Sequence, residues 1–187
     1  MTHGRLVSLS ASQGQALETF LSEFDETPEH LHGYFCDRQA TIEKALATLE
    51  AWTQGQQLPD GWVPNSTWFW EGAGELQGVI NLRHHLTPWL EENGGHIGYS
   101  VAPSHRNKGV ATAMLGAVLE HCQTQDISQI LLVCDAENLG SIRVIETQGG
   151  VLERQEWNEL GQALQRWYHI KLNRESPITK TSAPPGT

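Results

Sequence analysis

The chain has 187 residues, of which 39% are hydrophobic and 18% charged, and its formal net charge is −10. This size and composition predict one globular domain over residues 1–174. The negative charge argues against general nucleic-acid binding, which normally uses a basic surface. No apolar run approaches the roughly 20 residues that span a bilayer, and the first residues lack a signal-peptide pattern, so we expect a soluble cytoplasmic protein without membrane association.

The first third of the chain predicts one strand and two helices. Serine is a favourable N-cap residue, and apolar residues at helical spacing follow it here. Apolar residues at the same spacing also follow residue 38. The predicted elements are a strand over residues 5–9, a helix beginning at Ser10 or Ser12, an irregular loop over 25–37, a helix over 38–54 and a turn-rich connector over 55–64.

A β-hairpin is predicted next, with strands over residues 67–71 and 76–82. The segment Gly72-Ala73-Gly74 supplies residues typical of a tight turn between them. A dinucleotide-binding fingerprint would need a third small residue where Gln77 stands, so these glycines indicate a turn and not a phosphate site.

The most informative segment is GHIGYSVAPSHRNKGVAT at residues 95–112. It predicts a half-buried strand that alternates through Val101 and stops at Pro103, which lacks an N–H group. Gly109 and Ala111 then remove side-chain bulk where the next helix begins. The first amides of a helix have no intrahelical acceptors and lie at the positive end of its dipole, so this loop predicts a phosphate site.

The remaining elements complete an alternating order of helices and strands. Asn138 is an N-cap residue, and two glycines follow the helix that it begins. The predicted elements are helix 109–123, strand 130–133, helix 139–148, a hairpin of strands 151–156 and 164–172, and a disordered C-terminal tail over 175–187.

The pattern Arg106-x-x-Gly109-x-Ala111, together with the later Asn138-x-x-Ser141, resembles the acetyl-CoA pyrophosphate loop and following helix of the GNAT superfamily of N-acetyltransferases. The resemblance covers residues 68–172. It implies an α+β fold of three α/β/α layers, with a mixed, mostly antiparallel central sheet whose central strands are splayed. The segments RHHL and GHIGYS resemble a poorly characterised bacterial-type branch of predicted acetyltransferases.

The resemblance implies direct transfer of an acetyl group from acetyl-CoA to a primary amine of a small molecule or peptide. A non-catalytic acyl-CoA sensor is the alternative, and a homodimer is possible since relatives often dimerise. The residues that the resemblance assigns to acetyl-CoA are Val101, Arg106, Asn107, Lys108, Gly109, Val110, Ala111, Thr112, Asn138 and Ser141.

The catalytic groups are less well defined by the sequence. Many relatives carry a carboxylate in a segment similar to E-I-G-Y, where this chain has His96. Histidine titrates at about 6.5, which suits a general base, so His96 is the candidate base. The alternative is that His96 is a strand residue that satisfies a hydrogen bond or faces solvent. His84 and His85 compete for the role, or form a surface pair. No histidine or cysteine spacing typical of a metal site occurs.

The proton donor to the departing thiolate has no clear counterpart. Many relatives carry a tyrosine in the helix after Asn138, at the position of Ile145 in this chain. Tyr99, Tyr168 or water could replace it. Acid–base assistance contributes about 10² to 10⁴ in rate, whereas orienting two reactants can supply about 7–11 kcal/mol, so an enzyme without that tyrosine is feasible.

Overall fold

The computed structural model describes residues 3–32, 36–124 and 127–172, and these residues contain seven strands and five α-helices. The predicted tail over 175–187 lies outside these ranges. The elements are β1 (Arg5–Val7), α1 (Gly14–Ser22), α2 (Ile42–Thr53), β2 (Asn65–Gly72), β3 (Glu75–Arg83), α3 (Pro88–Asn93), β4 (Ile97–Val101), α4 (Val110–Gln123), β5 (Gln129–Asp135), α5 (Leu139–Thr147), β6 (Val151–Asn158) and β7 (Ala163–Lys171). Short 3₁₀ turns span Ala11–Gln13, Pro28–His30 and Pro103–His105.

The strands form two antiparallel sheets. One has the order β1-β2-β3-β4 and the other the order β5-β7-β6. Across the described residues, one isolated bridge between Gly95 and Leu132 connects the two sheets. The strands β4 and β5 therefore meet at one end and separate beyond it, which confirms the predicted fold with splayed central strands.

Helices cover both faces of the first sheet, because adjacent strand residues point to opposite sides. Phe69 and Val79 lie in the hydrophobic cluster under α1 and α2. Their neighbours Trp70 and Ile80 lie in the cluster with α4 and α5, where Met114 is fully buried. This alternation confirms the three α/β/α layers.

Several elements differ from the sequence predictions, most clearly α2, β1 and α3. Helix α2 begins at Ile42 and not at residue 38, because the Thr41 hydroxyl accepts the Lys44 amide and caps the helix there. Strand β1 ends at Val7 instead of residue 9. Helix α3 was not predicted; its single turn and a half, capped by Thr87, is too short to produce a helical apolar pattern.

Candidate active site

A cleft of about 980 Å³ opens where β4 and β5 separate. Its walls are the carboxyl ends of these strands, the loop before α4 and the first turn of α5. Of the ten residues that the resemblance assigns to acetyl-CoA, nine line this cleft: Val101, Arg106, Asn107, Gly109, Val110, Ala111, Thr112, Asn138 and Ser141. Lys108 is exposed in the same loop but does not line the cleft.

The loop before α4 presents a row of backbone amides to the cleft. Gly109 is the N-cap residue, with φ of +82° and therefore in the left-handed region that favours glycine. In the part of the chain that the structure describes, no protein acceptor pairs with the amides of residues 109–112. The first intrahelical bond here runs from the Ala113 amide to the Gly109 carbonyl, at 3.0 Å.

Basic side chains flank these amides. Arg106 is exposed, and its Nε donates a 3.3 Å hydrogen bond to the Val101 carbonyl, which holds the guanidinium beside the end of β4. Asn107, with φ of +60°, turns the chain toward Gly109. Uncapped amides at a helix N-terminus with a neighbouring cation are suited to bind a diphosphate.

The opposite wall carries two hydroxyl groups in contact. The Asn138 side chain accepts the Ser141 amide at 3.0 Å and begins α5. This cap places the Ser141 Oγ 2.7 Å from the Tyr99 hydroxyl. Burial raises the pKa of Tyr99 to about 12, although the hydrogen bond with Ser141 acts in the opposite direction. Tyr99 therefore keeps its proton at neutral pH and can donate it in a hydrogen bond.

The sequence over residues 8–151 matches the acetyltransferase (GNAT) domain family, and this match covers more than half of the chain. The chain belongs to the GNAT acetyltransferases. It is an N-acetyltransferase, and acetyl-CoA is its acyl donor. The unpaired amides, the glycine N-cap and Arg106 fit that donor. No curated protein matches this sequence significantly.

Solved structures of acetyltransferases are similar in fold to this GNAT domain. One is the acetyltransferase that modifies the N-terminal serine of ribosomal protein L7/L12 from Salmonella typhimurium, with 17% identity, coverage of 92% of this chain and 97% of that chain, and a TM-score of 0.66. The ribosomal-protein-S5-alanine acetyltransferase from Vibrio fischeri has 13% identity, coverage of 95% and 97%, and a TM-score of 0.68. The protein yncA from Salmonella typhimurium, in complex with acetyl-CoA, has 15% identity, coverage of 96% and 99%, and a TM-score of 0.63.

The candidate base His96 lies in this GNAT domain outside the main cleft. It lines a second cavity of about 490 Å³, together with His169 and Glu153. Its Nδ1 accepts the Leu131 amide at 2.9 Å. Burial lowers the pKa of His96 to about 4, so the ring is neutral at pH 7. The catalytic role of His96 stays a prediction.

The other two histidine candidates also lie away from the cleft of the GNAT domain. His84 Nε2 is 2.8 Å from the Ser66 hydroxyl, and its backbone amide donates to Pro64. Burial lowers the pKa of His84, and the neighbouring His85 adds to this effect. His85 is exposed. Neither residue lines the two cavities described above.

The far end of the GNAT cleft contains residues that sequence reasoning did not assign. They come from three separate segments: the loop before α2, the end of β5 and the β6–β7 hairpin. They are His30, His32, Asp135, Trp157 and Leu164. The only sequence signal was the pair of histidines in the predicted loop over 25–37, because the partners from the other two segments are more than a hundred positions away.

Two further features are absent from the described parts of this GNAT domain. Within residues 3–32, 36–124 and 127–172, no group of three or more histidine, cysteine or acidic side chains is arranged to hold a metal ion. In the same ranges, no helix has the length and apolar character needed to cross a membrane.

Proposed function

We propose that this acetyltransferase moves the acetyl group directly from acetyl-CoA to a primary amine of a small molecule or peptide. The observation that carries the proposal is the row of amides over residues 109–112, unpaired with protein and facing a cleft between two separating strands. Main-chain amides at a helix start bind a diphosphate without the need for a large positive surface. This local site can act in an acidic protein, because salt screens distant charges over about 8 Å.

The resemblance implies that the remaining acetyl-CoA contacts lie along the same cleft. The end of β4 at Val101 would offer backbone groups to the pantetheine arm, and Asn138 would contribute through the start of α5. Both residues line the cleft together with the phosphate loop. A continuous wall of this kind supports binding of one elongated ligand.

The Tyr99–Ser141 pair supports a role in releasing the thiolate. Both hydroxyls lie on the cleft wall, and they are 2.7 Å apart, so one donates to the other and one proton remains available to the cleft. A hydrogen bond to a group that becomes charged is stronger than one to a neutral group. The pair would therefore stabilise negative charge that develops on the departing sulfur. Ile145 cannot take this role, because it is an apolar side chain packed in the core.

The proposed acceptor is defined only as a primary amine. The similar structures from Salmonella typhimurium and Vibrio fischeri are described as acting on an N-terminal serine and on ribosomal protein S5 alanine. Peptides with those N-terminal residues therefore belong in an acceptor panel, together with polyamines and amino acids.

The test measures thiol release from acetyl-CoA in the presence of this panel, with product masses confirming an amide. We expect at least one amine to gain an acetyl group. Micromolar binding of acetyl-CoA with no turnover on any acceptor would favour a sensor, and no binding at all would contradict the assigned cleft.

The Tyr99→Phe variant tests the thiolate site. We expect kcat to fall about 10- to 100-fold, since a hydrogen bond to a charged group contributes about 1.5–3 kcal/mol. The Kd for acetyl-CoA should remain unchanged, because Ser141 and the phosphate loop are intact. Tyr168→Phe is the matched control, because Tyr168 is a buried residue of β7 and donates a hydrogen bond to Glu146 instead of lining the cleft. Equal kcat values for the two variants would refute the assignment.

A further inference from the structure

We propose that the far end of the cleft is the acceptor subsite, in which Asp135 binds the primary ammonium group and His32 accepts its proton. The inference rests on the proposed function and adds to it the groups that recognise and deprotonate the acceptor. Both residues line the same cleft as the phosphate loop, and they come from separate segments of the chain.

The loop that carries His32 is fixed directly to β4. The Ser100 hydroxyl accepts the His32 amide at 2.6 Å and donates to the His30 carbonyl at 2.7 Å. Ser100 is buried, and it directly follows Tyr99 in the strand. Two hydrogen bonds to one buried hydroxyl therefore hold His32 beside the strand that also carries the thiolate site.

A chain of side-chain hydrogen bonds fixes Asp135 on the other side. Gln165 Nε2 donates to Asp135 Oδ1 at 3.0 Å, and Gln165 Oε1 accepts from Asn158 Nδ2 at 2.9 Å. Asn158 is buried, and its Oδ1 accepts the amides of Leu160 and Gly161 in the β6–β7 turn. The hairpin thus orients a carboxylate that remains exposed at the cleft wall. A carboxylate held in this way is a suitable partner for an alkylammonium ion.

The surroundings of His32 favour a neutral imidazole at pH 7, and burial is the main cause. Its side chain keeps solvent access, but partial burial lowers the pKa of His32, and the nearby His30 adds to this effect. Arg83 on β3 also lowers the pKa, while Asp135 raises it. A neutral imidazole is the form that can take a proton.

His96 is less suited to this step because of its hydrogen bond. The Leu131 amide can only donate, so Nδ1 of His96 is the acceptor and the proton of the neutral ring is on Nε2. The lone pair of Nδ1 then accepts the Leu131 amide and Nε2 carries the ring proton, so no lone pair remains for a proton from the substrate. His96 also faces the second cavity and not the cleft.

The proposed step is balanced in atoms and charge. The ammonium group gives one proton to the imidazole of His32, which later releases it to solvent. The neutral amine nitrogen attacks the thioester carbonyl carbon, a carbon–nitrogen bond forms, and the carbon–sulfur bond breaks with its electron pair leaving on sulfur. The second proton on nitrogen passes to that thiolate, so the products are an amide, a free thiol and one proton in solution.

The experiment uses the best acceptor found in the panel and compares four variants of the full chain. His32→Gln and Asp135→Asn test the subsite. His3→Gln and Asp60→Asn are the matched controls, because both residues are exposed and line neither cavity. Thermal melting and the Kd for acetyl-CoA are measured for each variant to confirm folding and donor binding.

We expect His32→Gln to lower kcat/KM at pH 7 by about 10² to 10⁴. For the wild type, kcat/KM should be independent of pH between the lowered pKa of His32 and the amine pKa of about 10.4. It should fall at lower pH as His32 is protonated. The variant should instead rise about tenfold per pH unit, because it uses only the amine that is already deprotonated. Asp135→Asn should raise the acceptor KM by about 10- to 100-fold with donor binding unchanged.

The proposal would be overturned if His32→Gln kept the wild-type dependence of kcat/KM on pH. It would also be overturned if the fall in kcat/KM at low pH disappeared in His96→Gln but not in His32→Gln. If His32→Gln melts well below the wild type, His32→Asn replaces it in the same comparison. A wild type that acetylates no amine defeats the proposed function itself, whereas an active wild type with an equally active His32→Gln defeats only the acceptor subsite.

Discussion

Replacing Gly109 tests the phosphate site most directly. Gly109 has φ of +82° and lies among the unpaired amides of the cleft. Gly109→Glu adds a carboxylate where the diphosphate would bind, while Gly109→Ala adds only a methyl group. Both variants place an L-residue in the left-handed region, at a cost of about 1–2 kcal/mol in the free energy of unfolding. The difference in acetyl-CoA affinity between the two variants therefore isolates the effect of the charge.

The expected size of that difference follows from Coulomb's law. Two unit charges about 5 Å apart repel by about 0.8 kcal/mol in water and by about 3 kcal/mol at an effective dielectric constant of about 20. Residue 109 is exposed, so the lower part of this range applies. For two phosphate charges we expect about 2–4 kcal/mol, which weakens acetyl-CoA binding about 30- to 900-fold relative to Gly109→Ala.

Isothermal titration calorimetry with acetyl-CoA measures this effect at low salt and at 0.5 M salt. The Debye length falls to about 4 Å at the higher salt, so the gap between the two variants should narrow there. Similar melting temperatures for the two variants would show that both are folded to the same extent. Equal Kd values at low salt would refute the placement of the diphosphate at residue 109.

Two further predictions concern stability. Asn138→Ala should lower the free energy of unfolding by about 1 kcal/mol in urea titrations, because the side chain caps α5 through the Ser141 amide. Asn138→Asp keeps an acceptor, so its free energy of unfolding should stay near that of the wild type. Equal losses in both variants would contradict the cap. The pKa of His96 is about 4 in the folded state, below the ordinary histidine value of 6.5. Between these two pH values the unfolded chain binds more protons than the folded chain. The free energy of unfolding of the wild type should therefore fall as pH drops from about 6.5 to 4. His96→Gln should show a shallower decline over that window, and an unchanged slope would indicate that His96 does not contribute.

Much of the fold could be predicted because its signals are local. The turn between β2 and β3 has Ala73 at φ of +53° and Gly74 at +82°, as expected from the glycine-rich segment. The loop before α4 was recognisable because its glycine, its basic residues and the following helix are consecutive in the chain. Helix α3 was missed because six residues do not establish a helical period.

The chemistry of the cleft was less accessible from the sequence. Tyr99 and Ser141 are 42 positions apart, and only the packing of α5 beside β4 brings their hydroxyl groups into contact. The same limit applies to His32 and Asp135, which belong to different segments with no shared motif. A sequence motif records neighbours along the chain, whereas a catalytic group depends on neighbours in space.

The sequence by itself determined the order of the strands and the longer helices and the resemblance to the GNAT family, and it predicted the acetyl-CoA loop. The tertiary structure decided which histidines face the cleft, and these are His30, His32 and His105. Nine histidines are equivalent in composition, but the bridge between Gly95 and Leu132 closes the strands beside His96, while Ser100 holds His32 at the open end. The physical reason is that a base needs a free lone pair directed at the substrate, and long-range packing controls both its direction and its hydrogen-bond partners.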